Sequence, residues 1–489
     1  MRLAWSRRSD DRDPVEGSTS PVAVSRWRSG VTLRLGLWMW ALLDGSTGRY
    51  QFTDVMAWIP GVNLSLSLGV DGISRFFVRL NGLLTPLCIL ASMGGIQKDK
   101  KLYYGLFLIR EGRVNVVFRA TDRLTFYVAF EAVLIPMFLI IGTWGSRARK
   151  VRAAYFFFLY TLVGSLFLLL AMARLYHDRG TRDMATLSHV RSSPEGHAIR
   201  SVETQRWRWL AFFVAFAVKV PMRPMHIWLP EAHVEAPTAG SVILAGILLK
   251  LGTYGMVRVL IGLFPEASVF YTPRVYTMAM TAIVYTSRTA IRQTDMKRVI
   301  AYASVAHMNV TRVGVFSRTV QGLEGALLQM LSHGLVSGAL FRCVGVLYDR
   351  HHTRRISYYG GVAQTMPLFV AFFRFFTMAN IALPGTSSFV GEFMILVGVF
   401  QTNTFAAFVT ATSMVLGGAY SLWLFNRVAY GNLKTFYVGG SADLIRRERW
   451  TFVPLTRLTL IMGVTPEIFL DPMHASVSSL IEHVVTATA

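Results

Sequence analysis

Long apolar blocks recur along almost the whole chain, and they constrain its fold more than any other feature. A helix needs about 20 residues to cross the hydrocarbon core of a bilayer. The pattern therefore predicts an all-α polytopic membrane protein, with about 13 spans in one membrane domain over residues 31–470. The blocks lie near residues 31–43, 73–93, 103–119, 124–142, 153–175, 208–227, 239–262, 275–291, 297–316, 324–347, 366–382, 388–402, 408–430 and 451–470.

The composition excludes several classes of soluble protein. Hydrophobic residues make up 53% of the chain and charged residues 16%, which is typical of a membrane protein. Cys88 and Cys343 lie far apart in apolar runs, so neither an iron–sulfur cluster nor a zinc ribbon has its ligands. Because no G-x-G-x-x-G motif and no P-loop occurs, we expect no bound NADH or ATP. Any redox chemistry must then lie on partner subunits.

The net charge of +23 raises the question of nucleic-acid binding. Such binding needs a solvated basic face, whereas many arginines of this chain lie inside apolar runs. We therefore expect no nucleic-acid partner. Two basic runs, at 147–152 and 350–355, are interpreted as short loops that face the matrix or the cytoplasm.

The two ends of the chain are predicted to lie outside the membrane domain. Residues 1–30 carry charges of both signs and no long apolar stretch, which argues against a secretory signal and against a transit peptide. We expect this segment to be disordered. Residues 471–489 are predicted to form a C-terminal tail.

Two interrupted helices stand out within the apolar blocks. One is interrupted near Pro221 and Pro224, and the other at Pro384-Gly385, between blocks that are each too short to span a bilayer. Paired interruptions of this kind are typical of the ion path of a transporter. The alternative is a simple proline kink.

Ionisable residues inside apolar sequence are the candidates for carrying protons. A buried charge is costly in a membrane, and by default it indicates an ion or proton path. Proton transfer needs titratable groups whose pKa values neighbouring charges can move. Glu131 requires a cation, and Lys219 on another helix is the natural partner; the alternative is a static ion pair that only fixes helix packing. The predicted proton-translocating residues are Glu131, Lys219, Lys250, His307, His333 and Glu392.

The histidines allow two interpretations. His307 and His333 lie on consecutive apolar helices and could shuttle protons, with Glu392 ending the row. A histidine in an apolar helix can also be an ordinary hydrogen-bonded core residue. A further cluster could coordinate a metal, but a hydrogen-bonded loop is the preferred interpretation, and no metal site is predicted. That cluster comprises His226, Glu231, His233 and Glu235.

Several passages resemble the antiporter-like membrane subunits of proton-pumping NADH:quinone oxidoreductase, respiratory complex I. The similarity extends over about residues 65–470. The passages are 69–74 (GVDGIS), 130–137 (FEAVLIPM), 219–255, 295–308 (DMKRVIAYASVAHM), 331–334 (LSHG) and 383–393 (LPGTSSFVGEF).

The resemblance implies an antiporter-like fold of 14 helices, built from two inverted five-helix repeats that each contain a broken helix. It implies that Glu131 and Lys219 form a buried pair, that Lys250 and the histidines connect onward, and that Glu392 replaces a lysine of sister subunits. It also implies a multi-pass protein of the mitochondrial inner membrane, surrounded by lipid and by neighbouring antiporter-like subunits. NADH, FMN, iron–sulfur clusters and ubiquinone would be bound by partner subunits. The alternative is a subunit of a stand-alone multi-subunit cation/proton antiporter.

The chain departs from that family pattern at arginines in apolar positions. Each would cost roughly 2.5–3.5 kcal/mol at the centre of a membrane helix. We hypothesise that many of these positions are not arginine in the living protein, because a reassigned codon or RNA editing would produce this pattern. The alternative is real arginines that reach lipid phosphates or partner subunits. The positions are Arg79, Arg110, Arg113, Arg119, Arg123, Arg288, Arg312, Arg318, Arg342 and Arg374.

Overall fold

The computed structural model describes residues 21–59, 64–179, 182–184, 202–438 and 441–488, and most of them are helical. The predicted all-α membrane architecture is confirmed, apart from one hairpin. The elements are α1 Pro21–Leu42, β1 Gln51–Ile59, β2 Leu64–Val70, α2 Ser74–Ser92, α3 Lys100–Arg119, α4 Arg123–Ala132, α5 Leu134–Trp144, α6 Lys150–Arg179, α7 Val202–Lys219, α8 Trp228–Glu235, α9 Thr238–Ile261, α10 Pro265–Ile291, α11 Met296–Val315, α12 Val320–His351, α13 Val362–Thr365, α14 Pro367–Asn380, α15 Ser387–Phe400, α16 Thr404–Ala429, α17 Thr435–Val438, α18 Arg446–Val464 and α19 Glu467–Thr488.

The hairpin of β1 and β2 is a feature that the sequence analysis missed. The two strands pair antiparallel, with Gln51 opposite Val70 and Ala57 opposite Ser65. The alternation of leucine and serine in β2 has the period of two that is typical of a strand. That alternation indicates a strand, but its seven residues are much shorter than the helix-length blocks that dominate the sequence.

Fewer of the described helices than the 13 predicted are both long enough and apolar enough to cross a membrane. Six described helices are long and apolar enough, or seven if α18 and α19, which are bent by 68° relative to each other, count as one span. Other long helices exist but are more polar; α3, for example, carries Arg110, Glu111 and Arg113 within its 20 residues. Helices α14 and α15 have 14 residues each, so neither crosses a bilayer alone.

The helices at both ends of the chain extend beyond the predicted boundaries of the membrane domain. Residues 1–20 lie outside the described part, but residues 21–30 form the first turns of α1, so the boundary predicted at residue 30 is wrong for them. Proline is favourable in the first turn of a helix, and Arg26 and Arg28 are exposed there. The tail predicted from residue 471 lies within α19 instead, where His474 contacts Glu324 of α12 at 2.7 Å.

Helices α9 and α12 form the centre of the fold. The most apolar 18-residue stretch of α12 is entirely buried, and that of α9 is 94% buried. The corresponding stretches of α6 and α16 are each only 39% buried. The two central helices approach closely because glycines face each other. A Cβ atom on Gly334 would lie 3.0 Å from the carbonyl oxygen of Gly246. This contact allows polar side chains of α9 and α12 to meet in the interior.

The arginines in apolar positions fall into three groups. Arg113, Arg288, Arg318 and Arg374 are exposed, Arg79 and Arg119 are half-buried, and Arg110, Arg123, Arg312 and Arg342 are buried.

The buried arginines differ in how many partners their guanidinium groups have. Arg342 has a matching acid, because its Nη1 lies 3.7 Å from an Asp349 oxygen. Arg110 donates to Asn81 and Thr85 at 2.8 and 2.7 Å. Arg312 contacts only the Pro221 carbonyl, at 3.4 Å, and its Nε and Nη1 have no partner within the described residues. Because an unpaired buried charge is costly, Arg312 supports the hypothesis that some of these positions are not arginine.

Peptide mass spectrometry across residues 114–126 tests this hypothesis. We expect the peptide to remain uncut by trypsin and to carry leucine masses at positions 119 and 123, because both arginines stand where the family pattern has leucine or another apolar residue. Cleavage after both Arg119 and Arg123, with arginine masses confirmed, would contradict the hypothesis.

Candidate functional site

The first helix interruption presents Lys219 to the interior. Helix α7 ends at Lys219, and α8 begins only at Trp228. Between them lie Pro221 and Pro224, which lack the N–H that a continuing helix needs. The Trp228 indole donates to the Val218 carbonyl at 2.9 Å and so fixes the chain across the interruption. The Lys219 ammonium is therefore held at a helix end, buried among apolar side chains.

Glu131 and Lys219 are neighbours, but they are not an ion pair. The two side chains are close enough to interact electrostatically. However, the salt bridges of the described residues do not include this pair, so no Glu131 oxygen lies within 4.0 Å of the Lys219 ammonium. The Lys219 Nζ instead lies 4.0 Å from the centroid of the Phe130 ring. Glu131 is only partly buried, and its Oε1 has no partner within the described residues. The interpretation of a static, fully buried ion pair is therefore wrong for this conformation.

Glycine lets α9 pack against the end of α7. A Cβ atom on Gly252 would lie 2.3 Å from Cγ2 of Val220 and 3.2 Å from Cβ of Lys219. No side chain fits in that space without moving one of the two helices. Gly252 therefore brings the helix of Lys250 against the end of α7, although no described hydrogen bond or ion pair joins Lys219 to Lys250.

Lys250 lies between two π-helical turns of α9. The turns are Leu244–Leu248 and Met256–Ile261, and such turns are frequent at functional sites. The Lys250 Nζ donates to the Ala245 carbonyl at 2.6 Å and lies 2.7 Å from Nδ1 of His333. The lysine is fully buried. The wider turns were not predicted from the sequence, because their pattern of residues resembles that of an α-helix.

The two histidines connect Lys250 with Glu392. The ring centroids of His333 and His307 are 6.0 Å apart, and Nδ1 of His307 lies 2.9 Å from Oε1 of Glu392. The structure therefore brings Lys250, His333, His307 and Glu392 into one buried row, which we call the central row.

Two residues that the sequence analysis did not select complete the far end of the central row. The side-chain amide of Gln329 donates to Glu392 at 2.9 Å, and the Tyr420 hydroxyl lies 3.3 Å from Nε2 of His307. Both side chains are buried. Each is a polar residue inside an apolar helix, which was the available signal of a role in the interior. Because neither side chain is charged, this signal is weaker than that of a buried lysine or glutamate.

The second helix interruption lies beside the same end of the central row. Helix α14 ends at Asn380, and α15 begins at Ser387. Gly385, which follows Pro384, adopts a φ of 87° that favours glycine. The hydroxyl groups of Ser387 and Ser388 lie 2.7 and 2.8 Å from that of Ser332, the residue before His333. The broken helix thus contributes both Glu392 and two hydroxyl groups to the interior.

The four residues of the proposed loop cluster do not form one site. Glu231 pairs with Arg298 at 2.7 Å, His226 packs against Tyr285, and His233 stacks on Phe341. Among the residues that the structure describes, no group of three or more histidine, cysteine or carboxylate side chains is suited to hold a metal ion.

Comparison with known protein families identifies one matching model. The family is described as NADH:quinone oxidoreductase/Mrp antiporter, TM, and it matches residues 120–417.

The similar sequences carry related names. Proteins named NADH-ubiquinone oxidoreductase chain 4 from Marchantia polymorpha and Arabidopsis thaliana are each 54% identical to this chain. The first alignment covers 94% of this chain and 91% of the relative, and the second 93% and 90%. NADH-quinone oxidoreductase subunit M from Rhodobacter capsulatus is 47% identical, over 93% of this chain and 89% of the relative.

Solved structures share the fold over nearly the whole chain. A chain of respiratory complex I from Thermus thermophilus with bound NADH superposes with a TM-score of 0.84 and 32% identity, covering 95% of this chain and 96% of that one. A chain of the Mrp complex from Dietzia sp. DQ12-45-1b gives a TM-score of 0.82 at 19% identity, covering 96% and 94%. The second likeness is one of fold alone.

Proposed function

The chain belongs to the NADH:quinone oxidoreductase/Mrp antiporter family, and we propose that it moves protons as a membrane-arm subunit of NADH:ubiquinone oxidoreductase. The family model covers more than half of the chain, and relatives at 54% identity carry the name of that enzyme. The protein is a multi-pass protein of the mitochondrial inner membrane. As a subunit of the enzyme, it contributes to the oxidation of NADH by ubiquinone.

The central row is the observation that carries this proposal. Its four members are all buried, and two of its three steps are direct contacts, of 2.7 Å at Lys250–His333 and 2.9 Å at His307–Glu392. Proton transfer between side chains requires contacts of this length, or one intervening water molecule. The 6.0 Å between the two histidine rings fits a step through one water molecule or through rotation of a ring.

The chemistry of the central row is simple proton exchange. The Lys250 ammonium gives a proton to the neutral ring of His333, His333 passes a proton to His307, and His307 passes it to the Glu392 carboxylate. Lys250 is restored by the next incoming proton, each histidine returns to its neutral form when it passes its proton on, and Glu392 returns to the carboxylate when it releases its proton, so only bonds to hydrogen change. Glu131 and Lys219 supply a movable charge next to α9, which can shift the proton affinity of Lys250.

The energy for this movement comes from partner subunits. We assign NADH, FMN, the iron–sulfur clusters and ubiquinone to those subunits, because this chain has neither a nucleotide-binding motif nor a cysteine cluster. Neighbouring antiporter-like subunits and membrane lipids are its expected contacts. The exposed aromatic and aliphatic side chains of α6 and α16, among them Leu170 and Phe408, suit such surroundings.

The alternative is a subunit of a stand-alone cation/proton antiporter. The likeness to the Mrp chain supports the same fold, whereas relatives at more than twice that identity carry the oxidoreductase name.

Subunit analysis of the native particle separates the two functions. We expect mass spectrometry of the purified complex to show this chain together with flavin-binding and iron–sulfur subunits. A particle that contains only membrane subunits and exchanges Na⁺ for protons without NADH would overturn the proposal.

A further inference from the structure

We propose that a basic groove between α10 and α16 binds the phosphate of an anionic phospholipid at the matrix surface of the membrane. The groove lies between the C-terminal ends of these two helices and the loop that follows α12. Its walls are residues 291–294, the segment 356–360 and the stretch 423–434. None of these residues belongs to the central row, so the site is separate from the path proposed for protons.

Backbone hydrogen bonds hold the three walls of the groove together. The Ile356 N–H donates to the Thr294 carbonyl at 3.0 Å, and the Gly361 N–H donates to the Tyr430 carbonyl at 3.0 Å. The groove encloses about 780 Å³, which is within the range of sites for small ligands. It is therefore a fixed feature of the fold and is large enough to hold a headgroup.

The walls of the groove carry three positive charges and no negative one. Arg292, Arg427 and Lys434 line it and are exposed, and the three wall segments contain neither aspartate nor glutamate. Among the described residues none of these three cations takes part in a salt bridge. The Lys434 Nζ donates to the Ser357 carbonyl at 2.5 Å, which leaves its charge in place. A groove of this charge favours an anionic ligand.

Nearby carboxylates of the same surface are already paired with other arginines. Asp295, which directly follows the first wall, bonds to Arg147 at 3.2 Å. Glu448 lies 2.7 Å from Nη2 of Arg350. These acids therefore neutralise cations outside the groove and leave the charge of the groove to a ligand.

An apolar stripe on α16 leads from the groove across the membrane. Phe408, Val415 and Leu422 follow one another at intervals of seven residues and are 72%, 75% and 39% exposed. Residues at this spacing share one face of a helix, and Asn426, which lines the groove, lies one turn beyond Leu422 on that face. A ligand whose anionic head occupies the groove therefore finds an apolar surface for its acyl chain directly below, as a phospholipid requires.

The position of the groove matches the matrix interface of the membrane. Its second wall directly follows the basic run 350–355, and such runs face the matrix under the positive-inside rule. Trp423, which is half-buried, and Tyr430, which is 50% exposed, both line the groove. Tryptophan and tyrosine are enriched at membrane interfaces, and basic pockets between membrane helices on this side are suited to anionic headgroups.

Stabilisation of the two helix ends is the competing explanation for these cations. Arg427 lies in the last turn of α16 and Arg292 directly follows α10, where a positive charge is favourable. That effect is limited to the last turn of a helix, so it does not explain Lys434, which lies five residues beyond the end of α16. It also leaves the apolar stripe unexplained, whereas a bound lipid accounts for both features.

Photolabelling of the intact complex tests the site. The complex is reconstituted in phosphatidylcholine vesicles that contain a small fraction of phosphatidylglycerol with a photoreactive acyl chain. Mass spectrometry then measures labelling of the peptide around Leu422. We expect this probe to label the peptide more strongly than a phosphatidylcholine with the same photoreactive chain. Arg292→Gln and Arg427→Gln should each lower labelling by the charged probe about fivefold, which corresponds to about 1 kcal/mol for one cation at a membrane surface.

Lys101→Gln is the matched control, because it removes an exposed cation outside the groove and should leave labelling unchanged. Equal labelling by the two probes, or labelling that neither arginine substitution lowers, would overturn the site. No labelling by either probe would show that a partner subunit covers the groove and would also overturn it. Loss of labelling on addition of inorganic phosphate at constant ionic strength would assign the groove to a free anion instead of a lipid. The labelling requires no turnover, so its result is independent of the proposed function.

Discussion

Lys250→Met is expected to abolish most proton pumping and coupled electron transfer in an otherwise assembled complex. Methionine fills a similar volume but carries no proton, so His333 loses its partner at 2.7 Å. Proton transfer along the central row is then interrupted at its first step. Losing a general acid–base group typically costs a factor of about 100 or more, and we expect a loss in that range. The measurement is NADH:ubiquinone turnover together with acidification in sealed membranes.

An exposed lysine provides the control for this variant. Lys101 lies in the first turn of α3 and is exposed, so Lys101→Met should leave both activities unchanged. Full pumping by an assembled Lys250→Met complex would remove Lys250 from the path.

Glu392→Gln is expected to stop proton release from the far end of the central row. The amide keeps the shape of the carboxyl group and can still accept from Gln329, which now donates at 2.9 Å. It cannot take up the proton that His307 offers. We therefore expect normal assembly, with pumping and coupled turnover reduced by about 100-fold or more.

Glu324→Gln is the matched control for Glu392→Gln. Glu324 is also a buried carboxylate next to a histidine, since its Oε1 lies 2.7 Å from Nδ1 of His474. That pair fastens α19 to α12 and lies outside the central row. Pumping that falls equally in both variants would indicate a general effect of removing a buried carboxylate and would count against the role of Glu392.

The members of the central row could be predicted from the sequence, because a charge in an apolar helix has few explanations. Lys250, His333, His307 and Glu392 were selected in this way, and the structure brings them together. Their order could not be derived from the residues alone. It depends on the close crossing of α9 and α12 at Gly246 and Gly334, and a sequence does not show which helices cross.

Other features depend on tertiary packing or on weak local signals. Gln329 and Tyr420 act only through the neighbours that they meet, and an uncharged polar residue in an apolar helix is a weak signal of function. The hairpin β1–β2 has a short alternating pattern, which a search for 20-residue blocks passes over. The ion pair of Glu131 and Lys219 was predicted because the two charges are opposite. In the structure the Lys219 ammonium lies against the Phe130 ring instead.

The ratio of protons moved to NADH oxidised, measured for the Lys250→Met complex in proteoliposomes, tests the central claim most directly. Counting protons per electron pair separates transport from any loss of enzyme. If the central row carries protons, either turnover falls together with pumping or the ratio falls below that of the unmodified complex in the same lipids. An unchanged ratio at undiminished turnover in a fully assembled Lys250→Met complex would contradict the claim that protons pass through this chain by way of Lys250.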